Sequence, residues 1–348
     1  MFFYADLYGD VDLFVSNDRV NTENKFYLNN GDGTFADVSE ESGLNTIMDG
    51  MGVAIADYDM DGDIDLYVAN VGVEPPHGDS GGNKLFRNNG DGTWTNMAED
   101  LGVEVFKTAW GVHFSDLEND GDQDLVVVSR ESYLPYSGHD IFINENGIYS
   151  RLEDPQFAEN YGHSYGSAMG DFNSDGLPDL AVANSVVGSH ELWRNDSGTE
   201  NHWVKLHLEG TVSNRDAIGA LIEVWSLGQR QIKFTTCGNS FSSQDSDVLI
   251  FGLGVATQVD SIHVKWPSGA ENTLFELEAD QQYLILEDAE STVLTCDPDF
   301  NCTASSSCPE DFDQDGMVSV SDFIAFNSVF GTECSGCDFD LDGNGLVD

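Results

Sequence analysis

Acidic side chains recur at fixed spacing in three loops of the first 200 residues. Each loop places carboxylate or amide oxygens at positions one, three, five and nine, and glycine at position six. With the position-seven residue, whose carbonyl would complete the shell, the three sets are Asp57, Asp59, Asp61, Asp63 and Asp65; Asp116, Glu118, Asp120, Asp122 and Asp124; and Asp171, Asn173, Asp175, Leu177 and Asp179. Oxygen ligands in a flexible loop suit Ca²⁺, whereas Mg²⁺ prefers a stricter octahedron. The spacing therefore predicts several Ca²⁺ sites.

The same residue types also favour simple turns, because Asp and Asn side chains hydrogen-bond to their own backbone. Three nearly identical copies favour the metal-site interpretation over a run of turns. A shortened copy precedes them and retains only Asp6, Asp10 and Asp12. Because this copy lacks two loop residues, we expect it to bind a cation weakly or not at all.

Each acidic loop lies between two apolar, strand-like segments, and the whole unit repeats. The first aspartates, Asp6, Asp57, Asp116 and Asp171, are 51, 59 and 55 residues apart. Between the copies, segments such as residues 85–94 contain Asn-Gly and Asp-Gly, which favour tight hairpin turns. A period of this length is typical of a four-stranded β-propeller blade. The fold class predicted is mainly β, with a partial β-propeller.

These units resemble the FG-GAP and VCBS repeats of integrin-α-type β-propellers. The resemblance covers residues 1–200 and implies blades that carry calcium loops. Propellers of this kind usually close with about seven blades, and the sequence contains about four. Since the first copy begins inside its own loop, we expect the chain to be cut at its N-terminus.

Residues 201–290 follow a different pattern of strand-like alternation. Three motifs occur in it in order, at residues 214–220, 251–254 and 264–269. Together they resemble the ASPIC/UnbV domain, which follows FG-GAP repeats in secreted bacterial proteins and in the cartilage acidic protein family. The resemblance implies a small β-rich domain.

Residues 291–310 are predicted to be a linker, and residues 311–348 a short α module with two calcium loops. The ligand positions are Asp311, Asp313, Asp315, the Met317 carbonyl, Ser319 and Asp322 in the first loop, and Asp340, Asp342 and Asn344 in the second. The duplicated loop resembles an EF-hand-like, type I dockerin, a module that binds cohesin. The second loop stops at its ninth position, and the first lacks the usual Ser-Thr recognition pair. These departures weigh against a cohesin-like partner and leave calcium binding as the expectation.

The composition excludes several functional classes. There are 13 Lys+Arg against 63 Asp+Glu, a net charge of −50, whereas nucleic-acid and anionic-membrane binders need basic surfaces. The sequence has no apolar run long enough to span a bilayer, and its first residues do not form a signal peptide. Five of the six cysteines lie in residues 296–337, where disulfides would indicate an oxidising, extracellular compartment.

We recognise no catalytic constellation in the sequence. A Gly-x-Ser-x-Gly pattern at residues 162–166 precedes a blade strand, whereas the nucleophile elbow needs a strand–turn–helix context. The predicted function is a secreted, non-catalytic calcium-binding protein that mediates adhesion or binds an extracellular protein or a polysaccharide through its propeller. The alternative is an accessory part of a glycoside hydrolase or lyase, docked through the dockerin-like tail.

Overall fold

A computed structural model of the chain describes residues 1–6, 11–71, 81–130, 138–154, 157, 163–185, 189–288, 293–296 and 302–303. Strands dominate these residues, together with one short helix, α1 (Ser39–Ser42), which confirms the mainly β prediction. No helix within the described ranges is both long and apolar enough to cross a membrane. The predicted calcium loops of residues 311–348 lie outside the described residues.

Before residue 200 the described strands are β1 (Phe2–Phe3), β2 (Asp12–Val15), β3 (Asp18–Glu23), β4 (Lys25–Asn29), β5 (Phe35–Asp37), β6 (Ile47–Ala56), β7 (Asp65–Asn70), β8 (Lys84–Asn88), β9 (Trp94–Asn96), β10 (Thr108–Ser115), β11 (Asp124–Arg130), β12 (Asp140–Glu145), β13 (Ile148–Arg151), β14 (Ser164–Gly170), β15 (Asp179–Asn184) and β16 (Glu191–Trp193). They form sheets in the orders β1-β2-β4-β5, β3-β6-β7-β8-β9, β10-β11-β12-β13 and β14-β15-β16. Each sheet corresponds to one sequence repeat. The inner strands β6, β10 and β14 contact one another in succession, as in a partial β-propeller.

Apolar side chains fill the space between neighbouring blades. Strand β7 is buried along its whole length, on both faces, because its sheet packs against a blade on each side. One core cluster joins Tyr67 of β7 to Leu125 and Val127 of β11, and another joins Leu66 to Phe14 of the first blade. Apolar side chains therefore lie on both faces of β7, with Leu66 in one cluster and Tyr67 in the other.

A buried aspartate ties together the two hairpins of each blade. In the second blade, Asp65 accepts the backbone N–H of Tyr58 at 3.2 Å and that of Asn88 at 2.8 Å. The corresponding aspartate–asparagine pairs in the other blades are Asp12 with Asn29, Asp124 with Asn144, and Asp179 with Asn195. Each aspartate therefore satisfies two backbone donors in a region from which water is excluded.

The asparagine of this pair also reaches the preceding blade. The Asn144 side chain donates to the Gln123 carbonyl at 3.1 Å in its own blade, and to the Tyr58 carbonyl at 2.8 Å in the blade before. Asn144 is fully buried. The acidic-loop hairpin and the Asn-Gly hairpin of the sequence repeat are thus joined by polar contacts within and between blades.

After residue 200 the described strands are β17 (His202–Glu209), β18 (Leu221–Ser226), β19 (Gln229–Phe234), β20 (Leu249–Gly254), β21 (Gln258–Lys265), β22 (Glu271–Glu278), β23 (Gln281–Leu286), β24 (Val293–Cys296) and β25 (Cys302–Thr303). Two sheets, β20-β17-β23-β24-β25 and β19-β18-β21-β22, share a core that includes Ile222, Phe251 and Trp266. We call this part the second domain. It has the β-rich character predicted for residues 201–290.

The second domain lies against the inner strands of the blades. Its connection between β19 and β20 contributes Ser240, whose N–H donates to the Val53 carbonyl at 3.0 Å and whose hydroxyl accepts from the Val112 N–H at 2.8 Å. The same connection contributes Asp245, which accepts the Met169 N–H at 2.7 Å. Three successive inner strands are therefore hydrogen-bonded to one segment of the second domain.

Replacing Asn144 by alanine is expected to lower the free energy of unfolding by about 2 kcal/mol, because the buried Tyr58 carbonyl of the preceding blade would lose its donor. Urea unfolding followed by tryptophan fluorescence would measure the change. The control is Asn30→Ala, in an exposed hairpin. Equal losses in the two variants would show that the contact between blades contributes nothing to stability.

Candidate metal centre

The first acidic loop connects β6 to β7 and turns at Gly62, where φ is 98°. Glycine adopts this left-handed conformation without steric strain, which explains its place at position six. Asp57 closes the turn, because its Oδ2 accepts the Gly62 N–H at 3.0 Å. The Asp57 carboxylate is thus held against the turn through Oδ2, and its Oδ1 takes no part in this hydrogen bond.

Three carboxylates converge in this loop. One oxygen each of Asp57, Asp59 and Asp61 lie within 4.8 Å of one another. The Oδ1 atoms of Asp57 and Asp59 are buried and have no hydrogen-bond partner. Burial, followed by the charges of the two neighbouring carboxylates, raises the pKa of Asp57 to about 7. Such a group of hard oxygen atoms fits a Ca²⁺ ion, whose charge would offset their repulsion.

The residue at position nine, Asp65, is engaged by the backbone of its own blade, and its role as a metal ligand stays a prediction. Asp65 is fully buried, and both of its oxygens accept the backbone N–H groups described above. Burial raises its pKa to about 9. Asp65 does not belong to the group of three converging carboxylates, and its described contacts are those of a residue that supports the blade.

The position-seven residues are held by the same hydrogen bond in all three loops. Their backbone N–H groups donate to the position-five carboxylates in all three loops, at 2.9 Å from Asp63, 3.0 Å from Asp122 and 2.9 Å from Leu177. These hydrogen bonds fix the orientation of the peptide groups after the turn.

The second loop, between β10 and β11, repeats the arrangement in a more buried setting. Asp116 accepts the Gly121 N–H at 2.8 Å and the Asp120 N–H at 3.0 Å. Burial, with a contribution from Asp120, raises the pKa of Asp116 to about 7. Burial likewise raises the pKa of Glu118 at position three and, to about 9, that of Asp124 at position nine. This loop also concentrates negative charge that a cation would offset.

The third loop, between β14 and β15, differs in its partners. Asp171 accepts the Gly176 N–H at 2.7 Å and the Asp175 N–H at 3.2 Å, as in the other loops. Asn173, at position three, donates its side-chain amide to Asp175 at 2.8 Å. In addition, Asp171 forms an ion pair with Lys205 of the second domain.

The second domain covers the glycine corner of each loop. A Cβ on Gly62 would overlap Nη2 of Arg230, and a Cβ on Gly176 would overlap the indole of Trp203. At Gly121 the nearest side-chain atom would be 3.5 Å from a Cβ. The acidic loops are therefore part of the interface between the two domains.

Sequence reasoning missed the basic residues at this interface. Lys233 is partly buried near the second loop and donates to the Ile250 carbonyl. Loss of hydration lowers its pKa to about 8 despite the nearby Asp116 carboxylate. Arg230 donates to the Gly62 carbonyl at 3.4 Å. The sequence did contain a signal for these two residues. Basic residues are rare in it, 13 in all, and Arg230 and Lys233 lie only three positions apart on the same strand, β19.

A Ser–His–Asp chain also crosses the domain interface. His113 Nε2 lies 2.7 Å from the Ser167 hydroxyl, and Nδ1 lies 3.2 Å from Asp245 Oδ2. The Ser167 hydroxyl, however, packs against Gly111 so closely that a Cβ there would overlap it, and Ser167 is 3% exposed. Because the hydroxyl is buried and leaves no room for a substrate, these three residues form a hydrogen-bonded link between the blades and the second domain.

Gly176→Ala is expected to reduce stability more than Gly92→Ala. Both glycines have positive φ, 90° and 85°, so both substitutions introduce backbone strain of about 1 kcal/mol. Only at Gly176 would the new Cβ meet another residue, the Trp203 ring, which adds roughly 1–3 kcal/mol of overpacking. Thermal unfolding of the two variants would measure the difference, and equal values would contradict the close approach.

Comparisons with known proteins find similarity in both parts of the chain. The model of the FG-GAP-like repeat matches residues 6–68 and 71–127, and the model of ASPIC and UnbV matches residues 210–292. Cartilage acidic protein 1 of Xenopus tropicalis is 24% identical over 273 residues, which are 74% of this chain and 40% of that protein. The human protein of the same name is 26% identical over 273 residues, covering 74% and 39%.

A solved structure of a proposed cell adhesion protein from Bacteroides ovatus ATCC 8483 covers 82% of this chain and 95% of its own, at 9% identity and a TM-score of 0.19. The chain spans about 40% of the length of the cartilage acidic proteins that it matches. It contains FG-GAP-like repeats followed by an ASPIC and UnbV domain, and it is related to cartilage acidic protein 1 across both parts.

Proposed function

We propose that this chain is the calcium-binding part of an extracellular, non-catalytic protein that mediates adhesion through its propeller. The FG-GAP-like repeats and the relationship to cartilage acidic protein 1 support the adhesion-like class. The ligand would be an extracellular protein or a polysaccharide. The large excess of carboxylates is compatible with a compartment rich in Ca²⁺ and does not favour nucleic acid as a partner.

One observation carries the calcium proposal: buried, unpartnered carboxylate oxygens in the first loop. Polar atoms buried without a partner are rare, because desolvation is not offset by a hydrogen bond. Asp57 and Asp59 each contain such an atom, and one oxygen of each lies within 4.8 Å of the other and of an oxygen of Asp61. Calcium there would offset the charge of all three carboxylates. The second loop, headed by Asp116, has the same residue types at the same spacing, although among the described residues only the first loop brings three carboxylate oxygens within 4.8 Å of one another.

Calcium in these loops would act on the structure and would not touch the ligand. The corner of the first loop lies beneath Arg230 of the second domain, whereas Asp61 is exposed, so the ion would lie at the edge of the interface between the domains. It would hold each loop in the conformation against which the second domain packs. Ligand recognition then belongs to surfaces of the propeller away from the acidic loops.

The alternative function, an accessory part of a polysaccharide-degrading enzyme, depends on the dockerin-like residues 311–348. These lie outside the described residues, so calcium at Asp311 and a cohesin-like partner stay predictions. The extracellular compartment would also permit disulfides in the tail. In the described part, Cys237 is an exposed free cysteine.

Calcium is expected to raise the melting temperature of the full chain, because a ligand that binds the native state stabilises it. At 100 times the dissociation constant, each site contributes about 2.7 kcal/mol. Asp57→Asn should reduce this increment, whereas Asp91→Asn, in an exposed hairpin, should leave it unchanged. Differential scanning calorimetry with and without EGTA would test this. An unchanged melting temperature at millimolar calcium would refute calcium binding.

Retention on an immobilised neutral polysaccharide is expected to require calcium and to release no product. EGTA should abolish retention, and assays for reducing and unsaturated ends should stay at background. Release of such ends would favour the enzyme alternative. Retention that is insensitive to EGTA would separate ligand binding from the calcium loops.

A further inference from the structure

The third acidic loop already contains a cation from the protein itself. The Lys205 ammonium pairs with Oδ2 of Asp171, and the two side chains are only 3% and 4% exposed. The same Oδ2 atom also accepts the Gly176 N–H at 2.7 Å. The position-one carboxylate, which a metal ion would need, is therefore engaged by an ammonium and a backbone donor.

Lys205 is held in this place by its surroundings. It lies on β17, between β20 and β23, and its ammonium is 4.8 Å from the centroid of the Trp203 ring, in cation–π geometry. Trp203 in turn packs on the Gly176 corner of the same loop. Since the side chain is buried, its charge would have no water to replace Asp171 if the carboxylate bound a metal instead.

The loop also carries less negative charge than the other two. Position three is Asn173, where the first loop has Asp59 and the second has Glu118. The Asn173 amide donates to Asp175 and so occupies an oxygen of that carboxylate. A divalent ion would thus meet fewer carboxylates and would have to displace an ammonium.

The basic residues at the other two loops are directed differently. Arg230 donates to the Gly62 carbonyl, and the Oδ1 atom of Asp57 stays without a partner. Lys233 donates to the Ile250 carbonyl. Only at the third loop, within the described part of the chain, do we find an ion pair between a basic side chain and the position-one carboxylate.

We propose that the Lys205 ammonium takes the place of calcium in the third loop, so that this loop binds no calcium and attaches the second domain to the propeller at any calcium concentration. The proposal rests on calcium binding by the first two loops. It divides three similar loops into two that respond to calcium and one that does not.

The test compares calcium stoichiometry among variants of the full chain by isothermal titration, with equilibrium dialysis as a check. Asp57→Asn should lower the number of bound ions by one, whereas Asp171→Asn should leave it unchanged. Lys205→Met, which keeps the length and apolar stem of the side chain, should raise it by one. Adding Asp171→Asn to Lys205→Met should remove the gained site. Calcium sites outside the described residues are the same in every variant, so they cancel when the numbers of bound ions are subtracted.

The outcomes separate the two proposals. A wild-type chain that binds no calcium would overturn the proposed function. If calcium binds but Asp171→Asn lowers the stoichiometry by one, the third loop is an ordinary site and the role of Lys205 is refuted. If Lys205→Met folds, as judged by circular dichroism, yet gains no ion, the role of Lys205 is also refuted. Should Lys205→Met fail to fold, the comparison of Asp171→Asn with Asp57→Asn still decides.

Discussion

Negative charge buried between the two domains is the constraint on which this structure depends. The position-one aspartates, Asp57, Asp116 and Asp171, all lie where the second domain covers the blades. Burial disfavours a charged carboxylate unless positive charge or donors compensate. In a chain with net charge −50, basic residues are scarce, and β17 and β19 bring Lys205, Arg230 and Lys233 to these loops. The domains can pack closely only because each carboxylate has such compensation or a place for a cation.

The same geometry couples the acidic loops to the packing of the domains. Each position-one carboxylate accepts the N–H of a glycine five residues later, and that glycine is the surface on which the second domain rests. A cation bound by Asp57 and Asp59 would therefore fix the corner that Arg230 contacts. Because one set of atoms would serve both purposes, cation binding in the loop and docking of the second domain would be thermodynamically linked.

The features that the sequence predicts correctly here are local ones. Asn-Gly and Asp-Gly turns, alternating apolar residues and the position-six glycines specify hairpins over a few residues, so the blades and the acidic loops follow directly. Position nine is a harder case, because Asp65 engages Asn88 from the next hairpin, and spacing alone does not distinguish a ligand from a structural carboxylate. The docking of Ser240 against Val53 depends on residues far apart in the sequence, for which no periodic signal exists.

The excess of acidic residues also limits what the propeller can bind. The second domain covers the glycine corners of the acidic loops, and a ligand of the kind proposed would meet a strongly anionic surface. Like charges repel at such a surface, which disfavours a polyanionic glycan. A neutral polysaccharide or the basic face of a protein avoids that cost. The acidic charge that brings Lys205 to Asp171 inside the molecule would thus also favour a neutral or basic partner outside it.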